Sequence, residues 1–299
     1  MRNITTTRNI LGECPVWSPE ERKLYWMDLL EPALYAYEPA TGRTGSWAMP
    51  KYLGGLAVRR KGGLVIGMQH RIVGFQPENG AMEDIAVFGE IGEAMRFNDG
   101  KCDRRGRFFI GNMKDPATIP DGSRITEEDR AGAGSIYVLE TDGTIRVAEM
   151  GYTIPNGIAW NSDDSLLYIA DSHHNSIYVY DYDLASGRFA NKRVFASTRG
   201  EPGVPDGACL DAEGFLWSAR NGGGRIVRYA PDGSVDRTVT LPVEFPTSVA
   251  FGGAGLDTLY VTTATQGMTA DDLRKQPLAG TVLAVDVGVR GISEPAYGG

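Results

Sequence analysis

Four residues of this chain, Glu13, Asn98, Asn156 and Asp206, carry side-chain oxygens and occupy one slot of a repeated frame. A Glu carboxylate, an Asp carboxylate and an Asn carbonyl make a hard oxygen set. It suits Ca²⁺, Mg²⁺ or Mn²⁺ and, with coordination positions left open, Fe²⁺ or Zn²⁺. No Cys or His falls in the slot, which argues against a closed structural zinc site. A cation with open positions polarises a carbonyl oxygen and lowers the pKa of a bound water. Asp206 could then activate the attacking water, provided it lies within hydrogen-bond reach. Arg96, two residues before Asn98, offers a cation to hydroxyl oxygens or to developing negative charge; a surface ion pair is its other reading. The slot also has a second reading, in which polar residues cap inner strands around a water-filled channel and bind no metal. There is no nucleophilic serine motif, and His70, His173 and His174 lie outside the slot, which disfavours an acyl-enzyme route.

The frame that positions these residues runs from Asp206 to Gly214. An acid beside a Gly is followed by apolar-leaning positions, then by Asp211-Ala212-Glu213-Gly214 and the apolar run Phe215 to Ala219. That pattern reads as strand, tight turn, strand. The same frame places Glu13, Gly54, Asn98, Asn156, Asp206 and Thr247 in its first slot, separated by 41, 44, 58, 50 and 41 positions. A third apolar strand follows in most copies, as in Ser176 to Tyr180 and Arg225 to Tyr229, and then a shorter fourth strand leading to the next copy. Repeats of this length with several short strands each predict an all-β, six-bladed β-propeller. Blades pack radially, so the residue before each innermost strand lies at one mouth of the central channel, and the oxygens converge there.

Six blades account for residues 1–299 as a single domain. Residues 1–12 are expected to supply an outer strand that closes the ring against the last blade, since an open propeller would expose sheet edges. A net charge of −8 and a pI near 5.1, with no Lys/Arg cluster, argue against a nucleic-acid partner. Cys14, Cys102 and Cys209 are odd in number and lack CxxC spacing, so no disulfide framework is expected. No run of signal-peptide or membrane-span length is present, which makes cytoplasm the default and predicts no membrane partner.

Several local features have plain structural readings. Gly54 contributes no side chain and is expected to leave room for a ligand or to let the backbone approach one. Asp115 to Arg130 forms an insertion between the second and third strands of blade three, read as a lid, a binding loop or a solvated loop. His173 and His174 belong at a hairpin tip, Gly222-Gly223-Gly224 in a wide hairpin turn, and Trp17, Trp26, Trp160 and Trp217 in blade packing.

Gly12-Glu13-Cys14-Pro15-Val16-Trp17, Arg96-Phe97-Asn98-Asp99-Gly100-Lys101, Pro155-Asn156-Gly157, Pro205-Asp206-Gly207 and Pro246 to Gly253 together resemble the SMP-30/gluconolactonase/luciferin-regenerating-enzyme family along the whole chain. The resemblance implies a propeller with one divalent metal in the channel, held by Glu13, Asn156 and Asp206. It makes Asp206 the acid/base as well, Asn98 and Arg96 substrate contacts, and a sugar lactone the small-molecule partner, hydrolysed to its aldonic acid. Some lactonases of this family carry a further substrate-contacting Glu at the position that is Pro116 here, with Asp115 beside it and Asp121 in the same loop. Alternative readings are a phosphotriesterase or arylesterase on the same scaffold, and a calcium-binding or interaction propeller without catalysis. A monomer or small homo-oligomer is expected.

Overall fold

Short apolar runs separated by Gly- and Asp-rich turns are too brief for helices and of the right length for hairpins. In a computed structural model of the chain, residues 1–50, 52–88, 94–115 and 126–299 are described. The two-residue β1 (Arg2–Asn3) precedes blade one, formed by β2 (Gly12–Ser18), β3 (Lys23–Asp28), β4 (Ala33–Glu38) and β5 (Arg43–Ala48). Blade two comprises β6 (Leu53–Val58), β7 (Leu64–Met68), β8 (Arg71–Gln76) and β9 (Ala81–Val87). Blade three comprises β10 (Met95–Cys102), β11 (Phe108–Lys114), β12 (Gly134–Leu139) and β13 (Ile145–Tyr152). Blade four is β14 (Pro155–Trp160), β15 (Leu166–Asp171), β16 (Ser176–Asp183) and β17 (Arg188–Ser197), and blade five is β18 (Val204–Leu210), β19 (Leu216–Asn221), β20 (Arg225–Tyr229) and β21 (Val235–Thr240). Blade six takes β22 (Pro246–Gly252), β23 (Thr258–Thr263) and β24 (Leu283–Val285) from its own stretch. Its fourth strand is β1, with Arg2 opposite Ala284 and Asn3 opposite Leu283. The expected N-terminal closure is therefore present.

Each innermost strand packs against those of the two neighbouring blades, β2 touching both β6 and β22, so the six sheets close into a six-bladed β-propeller. Apolar clusters fill the seams between blades: Trp217, Val249, Phe251 and Leu259 meet between blades five and six. The tryptophans pack there as expected. Trp17 stacks on Tyr260 at 6.1 Å across the blade one/six seam, and Trp160 meets Phe109 edge-on at 5.0 Å. All three cysteines are buried and free.

The fourth strands correct one expectation. In blades one to five they are not shorter than the third strands: β17 has ten residues, the longest strand described, and β13 has eight, whereas β1 of blade six has two. They lie on the wide outer rim, where polar residues dominate and apolar periodicity fades. Among the described residues two short helices also occur, α1 (Glu127–Arg130) in the blade-three insertion and α2 (Ala270–Lys275) before β24, each opened by a Thr-x-x-Asp capping box. Residues 286–299 cross the far end of the channel, where Glu294 Oε1 lies 2.5 Å from Lys101 Nζ and Tyr297 pairs with Arg59 of blade two.

The second acid of the repeat frame is structural. Asp211, fully buried, accepts hydrogen bonds from Trp217 Nε1 at 2.8 Å, Arg228 Nε at 2.8 Å and the backbone N–H groups of Glu213 and Phe215. Asp211→Ala would remove one partner of a buried ion pair and orphan several donors at once. Arg228 keeps Glu213 and Asp236 as partners, so the expected loss is about 3 kcal/mol, the low end for such breaks. The denaturant midpoint of Asp211→Ala against Asp211→Asn, which retains an acceptor oxygen, measures it; equal midpoints for wild type and Asp211→Ala would contradict the network's role.

Candidate active site

Every innermost strand slips register at the repeat slot. Pairing with the second strand breaks between Glu13 and Val16, Leu53 and Leu56, Phe97 and Gly100, Asn156 and Ala159, Pro205 and Ala208, and Pro246 and Ser248. The slot residues thus sit inside the strands, at bulges, and not just before them. A bulge bends the strand and re-aims a side chain that the pleat would otherwise send into a blade seam. Gly157 follows Asn156 with φ +58°, and a Cβ on it would stand 2.8 Å from the Asp206 carbonyl oxygen. That position requires glycine on both counts.

Four of the six slot residues reach a common pocket of about 470 Å³: Glu13, Asn98, Asn156 and Asp206. The other two do different work. A Cβ on Gly54 would stand 2.1 Å from the Phe97 carbonyl oxygen, so the space freed by this glycine is taken by the backbone of blade three and not by a ligand. Thr247, fully buried, donates its hydroxyl to the Gly12 carbonyl and stitches blade six to blade one beside Glu13.

The pocket's polar side chains form a connected chain. Arg96, buried, donates through Nε to Asp115 Oδ2 at 2.5 Å and through Nη1 to Asn98 Oδ1 at 2.8 Å. Its ion pair is thus inside the pocket wall and not on the surface. Asn98 Nδ2 donates to Asn156 Oδ1 at 2.8 Å, Asn156 Nδ2 to Ser172 Oγ at 2.8 Å, and Ser172 Oγ to the Pro205 carbonyl at 2.7 Å. With its NH₂ committed to Ser172, Asn156 presents its carbonyl oxygen to the channel, where a second lone pair remains for another partner. Asp206 Oδ2 accepts from Asn221 Nδ2 at 2.9 Å, whereas Oδ1 is buried and has no partner.

Two carboxylates share this water-poor site. Burial, then the Asp206 and Asp99 charges, hold the Glu13 carboxyl well above the usual carboxylate range. Burial, with Asp99 adding, pushes Asp206 up to about 7 against the opposing hydrogen bond from Asn221. Asp99 lies beneath the ring, accepting from the Ile158 N–H at 3.3 Å. An orphaned buried carboxylate oxygen beside a second carboxylate and an inward amide oxygen is a donor set that fits a hard divalent cation. Among the described residues no three of His, Cys, Asp and Glu stand together as ligands.

Sequence reading missed Ser172 and Asn221. Both follow their slot residue by 15 or 16 positions, Asn156 to Ser172 and Asp206 to Asn221, at the ends of the second strands β15 and β19. Extending the repeat frame to that offset would have found them. His173 and His174 lie at the β15–β16 hairpin tip as expected, His174 Nδ1 2.9 Å from Asp171 Oδ2. Residues 116–125 of the insertion, Pro116 and Asp121 included, lie outside the described residues.

An all-β propeller with an oxygen-lined pocket at one end of its axis is a scaffold class that hosts both hydrolases and binding proteins. Residues 11–265 match the family described as SMP-30/Gluconolactonase/LRE-like region, and the chain belongs to that family. It is 36% identical over 293 residues to the 6-deoxy-6-sulfogluconolactonase of Pseudomonas putida, covering 97% of this chain and 96% of that protein. Identity to the pentonolactonase XacC of Haloferax volcanii is 36% over 254 residues, 85% of this chain and 81% of that one. Among solved structures, a calcium-binding protein, regucalcin, from Agrobacterium tumefaciens superposes with a TM-score of 0.91 at 28% identity, covering 99% of this chain and 96% of its own.

Proposed function

We propose that the chain is a metal-dependent sugar lactonase, opening an aldonolactone by hydrolysis to the aldonic acid. The observation that carries this reading is Asp206, whose Oδ1 is buried and unpartnered opposite Glu13 in a pocket of small-ligand size. Membership in a family whose relatives include a named 6-deoxy-6-sulfogluconolactonase and a named pentonolactonase supports it.

Glu13, Asn156 and Asp206 would hold the cation, which supplies Lewis acidity toward the lactone carbonyl when bound. The remaining chemistry belongs to side chains of this chain. Asn98, held between Arg96 and Asn156, orients the substrate at the inner wall, and the Arg96–Asp115 pair keeps that amide in place. Asp206 accepts the proton of the attacking water as oxygen adds to the carbonyl carbon. It can return a proton to the ring oxygen as the C–O bond breaks. Asn221 fixes the other oxygen of that carboxyl.

Proton release from a panel of five- and six-membered aldonolactones, with Ca²⁺, Mg²⁺, Mn²⁺, Zn²⁺ or Fe²⁺ restored singly to chelator-stripped protein, tests the reading. Acceleration over spontaneous hydrolysis is expected with at least one cation. A cation that raises Tm while no lactone opens faster would instead mark a structural site, and turnover confined to aryl esters or phosphotriesters would move the protein to another hydrolase class.

A further inference from the structure

Two guanidinium groups line the pocket, and their situations differ. Arg96 is engaged within the protein by Asp115, Asn98 and the Phe97 carbonyl. Arg130, the last residue of α1, is half-buried, and its Nε is buried with no hydrogen-bond partner. Among the described residues no carboxylate forms an ion pair with it. The acids of its own helix point elsewhere: Asp129 closes the capping box on Thr126, Glu127 faces His173 at 3.5 Å, and Glu128 is exposed.

The placement of Arg130 is fixed from behind. Just past α1, Gly132 N–H donates to the buried Thr153 Oγ1 at 3.0 Å, and the next residue after Thr153 is the pocket-lining Ile154. Arg130 therefore reaches the pocket from the insertion between β11 and β12 and not from an innermost strand.

Charge decides what it meets there. The described acids lining the pocket are Glu13, Asp115 and Asp206, and the bases are Arg96 and Arg130. Asp115 offsets Arg96, and a divalent cation offsets Glu13 and Asp206. Among the described residues Arg130 is left as a cation without a carboxylate counterion, and a pocket-lining guanidinium in that state binds an oxyanion through charge-assisted hydrogen bonds.

We propose that Arg130 reads a negative charge on the substrate, so that the preferred lactone carries an oxyanion group, carboxylate or sulfonate. This rests on the lactonase reading. It adds a substrate class and a specificity residue that the metal ligands do not define.

The test compares the metal-loaded wild type with Arg130→Gln and Arg130→Lys on three probes: gluconolactone, 6-deoxy-6-sulfogluconolactone and a glucarolactone carrying a free carboxylate. Wild type is expected to favour the charged probes in kcat/KM. Arg130→Gln should raise KM for them at least about tenfold, as loss of a charge-assisted hydrogen bond does, with kcat retained and a smaller effect on KM for gluconolactone. Arg130→Lys should recover part of the preference. The two charged probes separate a sulfonate reader from a carboxylate reader. A wild type with equal kcat/KM on all three, or an Arg130→Gln variant that keeps its preference or loses gluconolactone turnover equally, overturns this inference alone. A wild type that opens none of the probes overturns the lactonase reading and this inference with it.

Discussion

Asp206→Asn is expected to lower kcat/KM by at least about 10³-fold, because it removes both a metal ligand and the proton acceptor, each a large term in hydrolytic catalysis. Asn98→Ala should cost less, about ten- to a hundredfold, since it removes the amide's hydrogen bonds to Asn156 Oδ1, to the Pro155 carbonyl and from Arg96 but leaves both carboxylates in place. The same Asp206 variant carries a second expected result of opposite sign. In the metal-free protein Asp206 is buried next to Glu13 and Asp99, with Oδ1 unpartnered, so at pH 8 its charge destabilises the fold. Asn fills the same space without that charge, and the metal-free variant should gain about 1–3 kcal/mol over wild type. Steady-state kinetics and metal-free thermal melts read the two effects separately. Wild-type turnover by Asp206→Asn would end the mechanism; a melt no higher than wild type at pH 8 would mean that the carboxylates are not in conflict.

How much of this site could be read from the chain depends on which physical relation carries each part. Glu13, Asn98, Asn156 and Asp206 were legible because blades repeat, and a repeat converts sequence position into angular position around one axis. Closure by residues 2–3 was legible because a propeller cannot leave its last sheet with an open edge. The bulges were not: a bulge belongs to the pairing of two strands, and neither strand's apolar pattern records it. For the same reason Gly54 was misassigned, since what fills its missing side chain is the Phe97 backbone from the next blade. Arg96 and Asp115 are 19 positions apart and meet only because β10 and β11 are antiparallel, with Met95 opposite Lys114. Outer strands such as β17 face solvent along much of their length, so hydrophobic alternation could not report their extent.

The largest pH effect should appear on removing the metal. In the metal-free protein, burial first, then the Asp206 and Asp99 charges at Glu13 and the Asp99 charge at Asp206, keep protons on both carboxyls well above the ordinary carboxylate range, with Asp206 titrating at about 7. Because these folded-state pKa values are raised, the native chain binds more protons than the unfolded chain between the unfolded value, about 3.9 for Asp, and about 7. Their contribution is fully present below the unfolded pKa and is lost as pH rises through the folded one. Metal-free stability should therefore fall from pH 4 toward pH 7, by about 4 kcal/mol for Asp206 alone if the whole shift is realised. Other groups add their own slopes, so the quantity to follow is wild type minus Asp206→Asn, which isolates this carboxyl. A cation reverses the sign, since it requires the deprotonated ligands and displaces their protons. Its affinity should rise steeply between pH 5 and 7, and calorimetry in buffers of different ionisation enthalpy should count more protons released on binding at pH 6 than at pH 8.5. Proton release independent of pH, or a cation that binds equally well at pH 5 and pH 8, would show that Glu13 and Asp206 are not the groups it displaces protons from.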